Sequence, residues 1–181
     1  MIDILKESLW KHFAASIDML KNAIIWWPEE YWDTKRKFFY MAYHTLVFLD
    51  YYLTIPPESF SSPFPYTLTE PDNIPQDAID DVVPDRIYTK DELLDYLQFT
   101  REKCRQVIRN LTEENSNQPW IDHSKEMDLS LASSSSLNYS VLNILFYNMK
   151  HVQHHAAQLN LLLRQEIGKA PDYVSLAEDP L

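Results

Sequence analysis

Glycine occurs once in this chain of 181 residues, at Gly168. Nothing else in the sequence narrows the fold as much. Strand-rich domains need many tight turns, and glycine is the residue that tight turns favour. A chain almost without it is expected to be helical. The same scarcity removes the glycine-rich phosphate loop, the dinucleotide fingerprint and the serine nucleophile elbow, each of which needs at least two glycines. Hydrophobic residues make up 45% and aromatics 13% of the chain. That suits a folded globule, and the length suits one domain spanning 1–181 with a real core.

Charge and cysteine content exclude further classes. Lys and Arg number 16 and Asp and Glu 27, for a net charge of −11. Nucleic acid and anionic membrane surfaces repel such a chain on balance, so neither is an expected partner. No stretch approaches the roughly 18 apolar residues of a membrane span. The opening "MIDILKESLWKHFAAS" mixes charges into its first turns where a signal peptide has an apolar core. The single cysteine, Cys104, forbids an intrachain disulfide and a multi-cysteine zinc finger. The expected location is cytoplasmic.

Four segments carry helical periodicity. The first covers about 2–27, where Leu5, Leu9, Phe13, Ile17, Leu20 and Ile24 recur at spacings of three and four. It stops at Pro28. The second covers about 36–54, is apolar nearly all round, and ends at "IPPE". The third covers about 89–112, opening on Thr89 and Glu92 at capping-box spacing. Its stripe is Leu93, Leu97, Thr100, Cys104, Val107 and Leu111. The fourth covers about 137–167, with the serine run 133–136 supplying candidate N-caps and Gly168 placed for a left-handed C-cap. The proline-rich stretch 55–88 and the polar stretch between the third and fourth segments read as long surface connections. The expected fold is an all-α four-helix bundle with two long connections.

Histidine then stands out. In "HVQHHAAQLN", 151–160, three of the chain's six histidines fall within five positions. On a wheel of about 100° per residue, His151 and His155 lie inside the apolar arc of the fourth segment, among Ile144, Leu162 and their neighbours. They are an i, i+4 pair, so their rings are able to converge on one divalent ion. Gln158, three residues on, shares that face and is placed to orient a ligand or a water. A third ligand has to come from another helix. His44 in "FFYMAYHTLVFLDYY" is the candidate, flanked by Tyr40, Met41, Val47, Phe48 and Tyr51. From pattern alone two readings stand side by side: hydrogen-bonded core histidines, or a metal site. His154 points to the other side and reads as a rim or supporting residue. His12 reads as structural or at the mouth of the bundle, His123 as solvated in a loop, Cys104 as core, and Trp120 as a packing anchor. Di-iron Glu-x-x-His motifs and the His-Glu-x-x-His signature are absent.

One histidine in the second helix, a His-x-x-x-His pair in the fourth and a glutamine three residues later resemble the DinB/YfiT-like superfamily. The residues are His44, His151, His155 and Gln158, and the likeness in length and helix order runs over nearly the whole chain. Ala157 stands where the family motif often has glycine. Some thiol-using relatives carry glutamate at the first position of the helix-four pair, whereas this chain has His151. The resemblance implies a four-helix bundle whose three histidines hold a divalent metal, often nickel or zinc, at one end of a pocket.

It also implies a metal-dependent enzyme. The leading expectation is S-transfer from a low-molecular-weight thiol, of the bacillithiol or mycothiol kind, to a small electrophile. A hydrolase using metal-activated water is the alternative within the enzyme class. Tyr40, Tyr51 and Tyr147 are candidates for positioning a small-molecule substrate. The rival from another class is a non-catalytic stress-response or binding bundle with structural histidines. The tryptophans around Trp26, Trp27 and Trp32, read as exposed, leave room for a homodimer.

Overall fold

The computed structural model of the chain describes residues 1–124, 128, 130–134 and 136–181. It is mostly helical, with five α-helices and one two-stranded sheet among the described residues. The helices are α1 (Ile2–Trp26), α2 (Arg36–Leu53), α3 (Lys90–Arg109), α4 (Glu113–Ser116) and α5 (Val141–Ile167). The strands β1 (Tyr66–Leu68) and β2 (Val82–Pro84) pair antiparallel, with Leu68 opposite Val82.

Local chemistry explains the helix ends. Trp27 is extended, as a residue before proline prefers to be, so α1 stops at Trp26 and not at 27. α2 likewise stops at Leu53, one residue before 54. At the start of α3, Thr89 Oγ1 accepts from Glu92 N at 3.2 Å and Glu92 Oε2 accepts from Thr89 N at 2.7 Å. This is the capping box expected from the sequence. α3 ends at Arg109 instead of about 112, because a second box, Thr112 with Asn115, opens the short α4. α5 begins at Val141 and not at 137. Ser140 is its cap, accepting from Asn143 N at 3.3 Å, while Ser136–Asn138 form a single 3₁₀ turn. Ser135, within the serine run, lies outside the described residues. Gly168 ends α5 at φ +74°, donating its N–H to Arg164 O at 3.1 Å.

Each of the four long helices packs against two others. α1 lies against α5 and α3, and α2 lies against α5 and α3. α1 and α2, though consecutive, therefore sit across the core from each other. The core is filled by Phe13, Ile17, Leu20, Phe39, Leu46, Leu97 and Leu159, all fully buried. This arrangement sets α2 beside α5, so the face that bears His44 meets the face that bears His151 and His155.

Two regions hold more structure than periodicity shows. The 55–88 connection carries β1 and β2, and the rings of Phe64 and Tyr88 stack at 4.0 Å, with Tyr43 of α2 stacked on Tyr88 at 6.0 Å. After α5, the C-terminal residues lie over α1 and α3. Ala177 N donates to Lys11 O at 2.9 Å, Trp10 Nε1 donates to Asp179 O at 3.0 Å, and Arg101 bridges Asp18 and Asp179.

The tryptophan patch is corrected by the structure. Trp26 is 42% exposed, but Trp27 and Trp32 are 2% and 4% exposed. Trp27 stacks on Phe38 at 4.2 Å, and Trp32 Nε1 donates to Tyr88 O at 2.8 Å. Both are core residues and offer no surface to a partner. No helix among the described residues is long and apolar enough to cross a membrane.

A buried charge braces α2 to α3. Asp50, 2% exposed, accepts from Lys103 Nζ at 2.5 Å and from Tyr96 OH at 2.8 Å. Removing the cation leaves a carboxylate without its counter-charge in the core. We expect Lys103→Met to lower stability in urea unfolding by about 3 kcal/mol, and Asp50→Asn in the same chain to recover part of it.

Candidate metal centre

Three imidazoles meet between α2 and α5. Nε2 of His44 lies 3.0 Å from Nε2 of His151, and one nitrogen each of His44, His151 and His155 falls within 4.8 Å of the others. Helix geometry produces this. His151 and His155 are one turn apart on α5, and the α2–α5 packing brings His44 to their level. Asn148, one turn before His151, is fully buried and donates to Leu49 O of α2 at 3.0 Å, which pins the two helices together. The ring of Phe48 lies 4.5 Å from that of His44 and 5.8 Å from that of His151, giving the cluster an aromatic wall.

Each imidazole has a different outer contact. His155 Nδ1 faces Gln158 Oε1 at 2.7 Å, so the amide oxygen accepts the Nδ1 proton and leaves Nε2 with a free lone pair. Asp80 Oδ2 lies 2.6 Å from His44 Nδ1. It is off the line of the ring N–H, so the contact is a close approach and not an aligned hydrogen bond. The other oxygen of Asp80 accepts from Val82 N at 3.1 Å, which ties the carboxylate to the start of β2. His151 Nδ1 is buried without a partner.

Electrostatics keep the lone pairs available. Burial, followed by the neighbouring charges of His44, His155 and His154, pushes His151 down to about 2. Burial and then His44 push His155 down to about 4, with the Gln158 contact opposing the shift. Both rings are neutral near pH 7. A divalent ion at about 2.0 to 2.1 Å from each nitrogen holds two imidazole nitrogens about 3 Å apart. The His44–His151 separation of 3.0 Å matches that spacing. The donor set, the neutrality of His151 and His155, and the His44–His151 spacing therefore fit a divalent metal.

The cluster forms one end of a cavity of about 800 Å³ lined also by Lys37, Met41, Asp77, Ile79 and Leu162. The other residues singled out in the sequence lie elsewhere. His154 is exposed and, with His12, lines a separate cleft against α1. Tyr51 packs on Phe60 and Trp120, Tyr147 donates to Ser133 Oγ at 3.2 Å, and Tyr40 packs on Phe39. None of the three tyrosines is among the residues lining the histidine cavity. His123 is exposed and bonds Leu137 O at 2.8 Å. Trp120 is buried and donates to Thr54 O at 3.0 Å. Cys104 is fully buried, and burial pushes its thiol up, so it is no nucleophile for this cavity. A further cleft of about 780 Å³ between α2, its following loop and α3 holds the Asp50–Lys103 pair and no histidine.

Asp80 is the contact to His44 that the sequence does not announce. It lies in a connection without periodicity, among Asp77, Asp80, Asp81 and Asp85, and nothing in the spacing separates it from the other three.

The DinB family model matches residues 115–178, which include His151, His155 and Gln158 but not His44. The match supports a DinB-like assignment. No curated protein and no solved structure matches the chain significantly.

Two outcomes follow from the geometry. A carboxylate facing a ligand's outer nitrogen tunes its basicity, so Asp80→Asn is expected to weaken divalent-metal affinity about 10-fold to 100-fold by competition titration, with the fold intact by circular dichroism. Metal-free protein should also lose stability on acidification. His151 and His155 have folded values below the 6.5 of an ordinary histidine, so the unfolded chain binds more protons below that pH. The melting temperature is expected to hold above about pH 7 and to fall as pH drops from 6.5 towards 4. A flat profile in that window contradicts the neutral buried pair.

Proposed function

Starting from the DinB-like assignment, we propose that the protein is a metal-dependent enzyme, a single four-helix-bundle domain in which His44, His151 and His155 hold one divalent ion. The observation that carries this reading is the convergence of three imidazole nitrogens within 4.8 Å at the end of a cavity. All-imidazole donors suit nickel or zinc. Three neutral ligands leave positions open, and a divalent ion there favours the deprotonated form of a thiol or water in contact with it.

The chain's own residues do the rest. Gln158 fixes the tautomer of His155, and the Asp80 carboxylate lies against Nδ1 of His44. Phe48, Met41, Ile79 and Leu162 keep the site's walls apolar, which strengthens electrostatic interactions with a bound anion. The reaction is S-transfer from a low-molecular-weight thiol to a small electrophile. Cys104, the only cysteine, is buried on α3, so the sulfur has to come from a second molecule. Hydrolysis by activated water uses the same three ligands and is the alternative. It turns over ester or amide substrates without added thiol, whereas the transferase is silent until thiol is supplied.

Metal content by mass spectrometry on protein purified without chelator tests the reading, beside His44→Ala and His155→Ala. The expected result is near-stoichiometric metal in the parent protein and its loss in both variants. A parent protein that stays metal-free after incubation with nickel or zinc overturns the enzyme and leaves a bundle with structural histidines.

A further inference from the structure

The cleft between α2, the loop after it and α3 rivals the histidine cavity in size and shares none of its lining residues. At about 780 Å³ it falls within the roughly 300 to 1,000 Å³ that small-molecule sites occupy. Helix spacing builds one wall, where Glu92, Tyr96, Phe99, Lys103 and Val107 recur on α3 at steps of three and four. The loop supplies Phe60 and Phe64. Phe64 meets Tyr96 edge to face at 4.9 Å, and Phe60 meets Tyr51 the same way at 5.2 Å, so both rings are held in place. Phe99 is different. It lines the cleft yet is 60% exposed, a large apolar ring that the fold leaves uncovered.

Hydrogen-bonding capacity at the floor of the cleft is one-sided. The Asp50 carboxylate lines the cleft although it is buried. All three protons of Lys103 Nζ are taken, by Asp50 Oδ1 at 2.5 Å, Asp50 O at 3.2 Å and Thr54 Oγ1 at 2.6 Å. Thr54 Oγ1 in turn donates to Asp50 O at 2.9 Å, and Tyr96 OH donates to Asp50 Oδ2 at 2.8 Å. The side-chain donors around Asp50 are therefore spent. Its acceptors are not. An ionised carboxylate offers about four lone-pair positions, and among the described residues each oxygen of Asp50 receives one bond. An incoming anion finds no free side-chain proton there, whereas an incoming donor finds a buried carboxylate. The balance of charge agrees. Lys103 offsets Asp50 and Arg86 holds Glu92 at 2.5 Å, so the exposed Asp95 leaves the lining net negative. Aromatic faces attract cations as well.

We propose that this cleft is a second ligand site, for a small organic cation: a protonated amine that donates to Asp50 and lays an aromatic body against Phe60, Phe64 and Phe99. The inference stands apart from the metal reading, because the two cavities have no residue in common.

The test uses amide nitrogen–proton NMR on the 181-residue chain, titrated with tryptamine, tryptophol and indole-3-propionate. The three share an indole body and differ in charge. Tryptamine is expected to bind about tenfold tighter than tryptophol at low salt, with the gap narrowing as salt is raised, and indole-3-propionate is expected to bind weakest. The shifted amides should belong to α3 and to the loop 59–64. Phe99→Ala, which alters an exposed side chain, should weaken tryptamine about tenfold. Lys103→Met combined with Asp50→Asn makes the floor neutral and should remove the preference for the amine over the alcohol. If that double variant does not fold, Phe99→Ala and the three-probe comparison still decide. Equal affinities for amine and alcohol, tighter binding of the acid, an unchanged tryptamine affinity in Phe99→Ala, or shifts confined to the histidine cavity each overturn the inference and leave the metal site untouched.

Discussion

Two imidazole nitrogens 3.0 Å apart need something positive between their lone pairs. Nε2 of His44 and Nε2 of His151 face each other at that distance, and the space between them holds either a proton or a cation. Asp80 Oδ2 lies 2.6 Å from His44 Nδ1, on the side of the ring away from His151. With a proton on His151 Nε2, the two rings form one neutral hydrogen bond. Buried Nδ1 of His151 has no partner, and burial holds the ring uncharged. A divalent ion uses both facing lone pairs and that of His155. The rest of the molecule is arranged around the requirement that these rings meet between two packed helices.

Packing supplies that requirement. α2 and α5 lie side by side, while α1 and α2 are diagonal, so the two histidine-bearing helices are neighbours although they are the second and the last in the chain. Asn148 ties α5 to the carbonyl of Leu49, and Phe48 walls the cluster from α2. Unpartnered polar groups in apolar surroundings cost free energy, and the fold accepts that cost at His151. It compensates elsewhere with dense aromatic packing, such as the Phe64–Tyr88 stack that holds the 55–88 connection against α2. That same connection delivers Asp80 to His44.

The sequence makes some of this readable and hides the rest, for physical reasons. The helices announce themselves because a stripe at period 3.6 is a repeated signal, and Thr89, Glu92 and Gly168 mark ends by stereochemistry. His151 and His155 are readable because their angular position follows from helix geometry alone. His44 is readable as a polar ring on a bulky apolar face. Asp80 is not, because its position depends on how a proline-rich connection folds over α2. Trp27 and Trp32 look like surface patches because they flank a proline turn, yet tertiary contacts with Phe38 and Tyr88 bury them. The substrate roles considered for Tyr40, Tyr51 and Tyr147 follow nearness in sequence, and these three are not among the residues lining the cavity. The C-terminal strap over α1 and α3 leaves no periodic trace either, because it is held by Asp179 and single backbone bonds.

X-ray absorption on protein loaded with one equivalent of nickel or zinc tests the central claim most directly. It counts the atoms around the ion and distinguishes imidazole from other nitrogen and oxygen donors. Three imidazole nitrogens at about 2.0 to 2.1 Å, with any remaining positions taken by exchangeable light atoms, is the result this account predicts. An ion surrounded by water and carboxylate oxygens, with no imidazole among its neighbours, would contradict it.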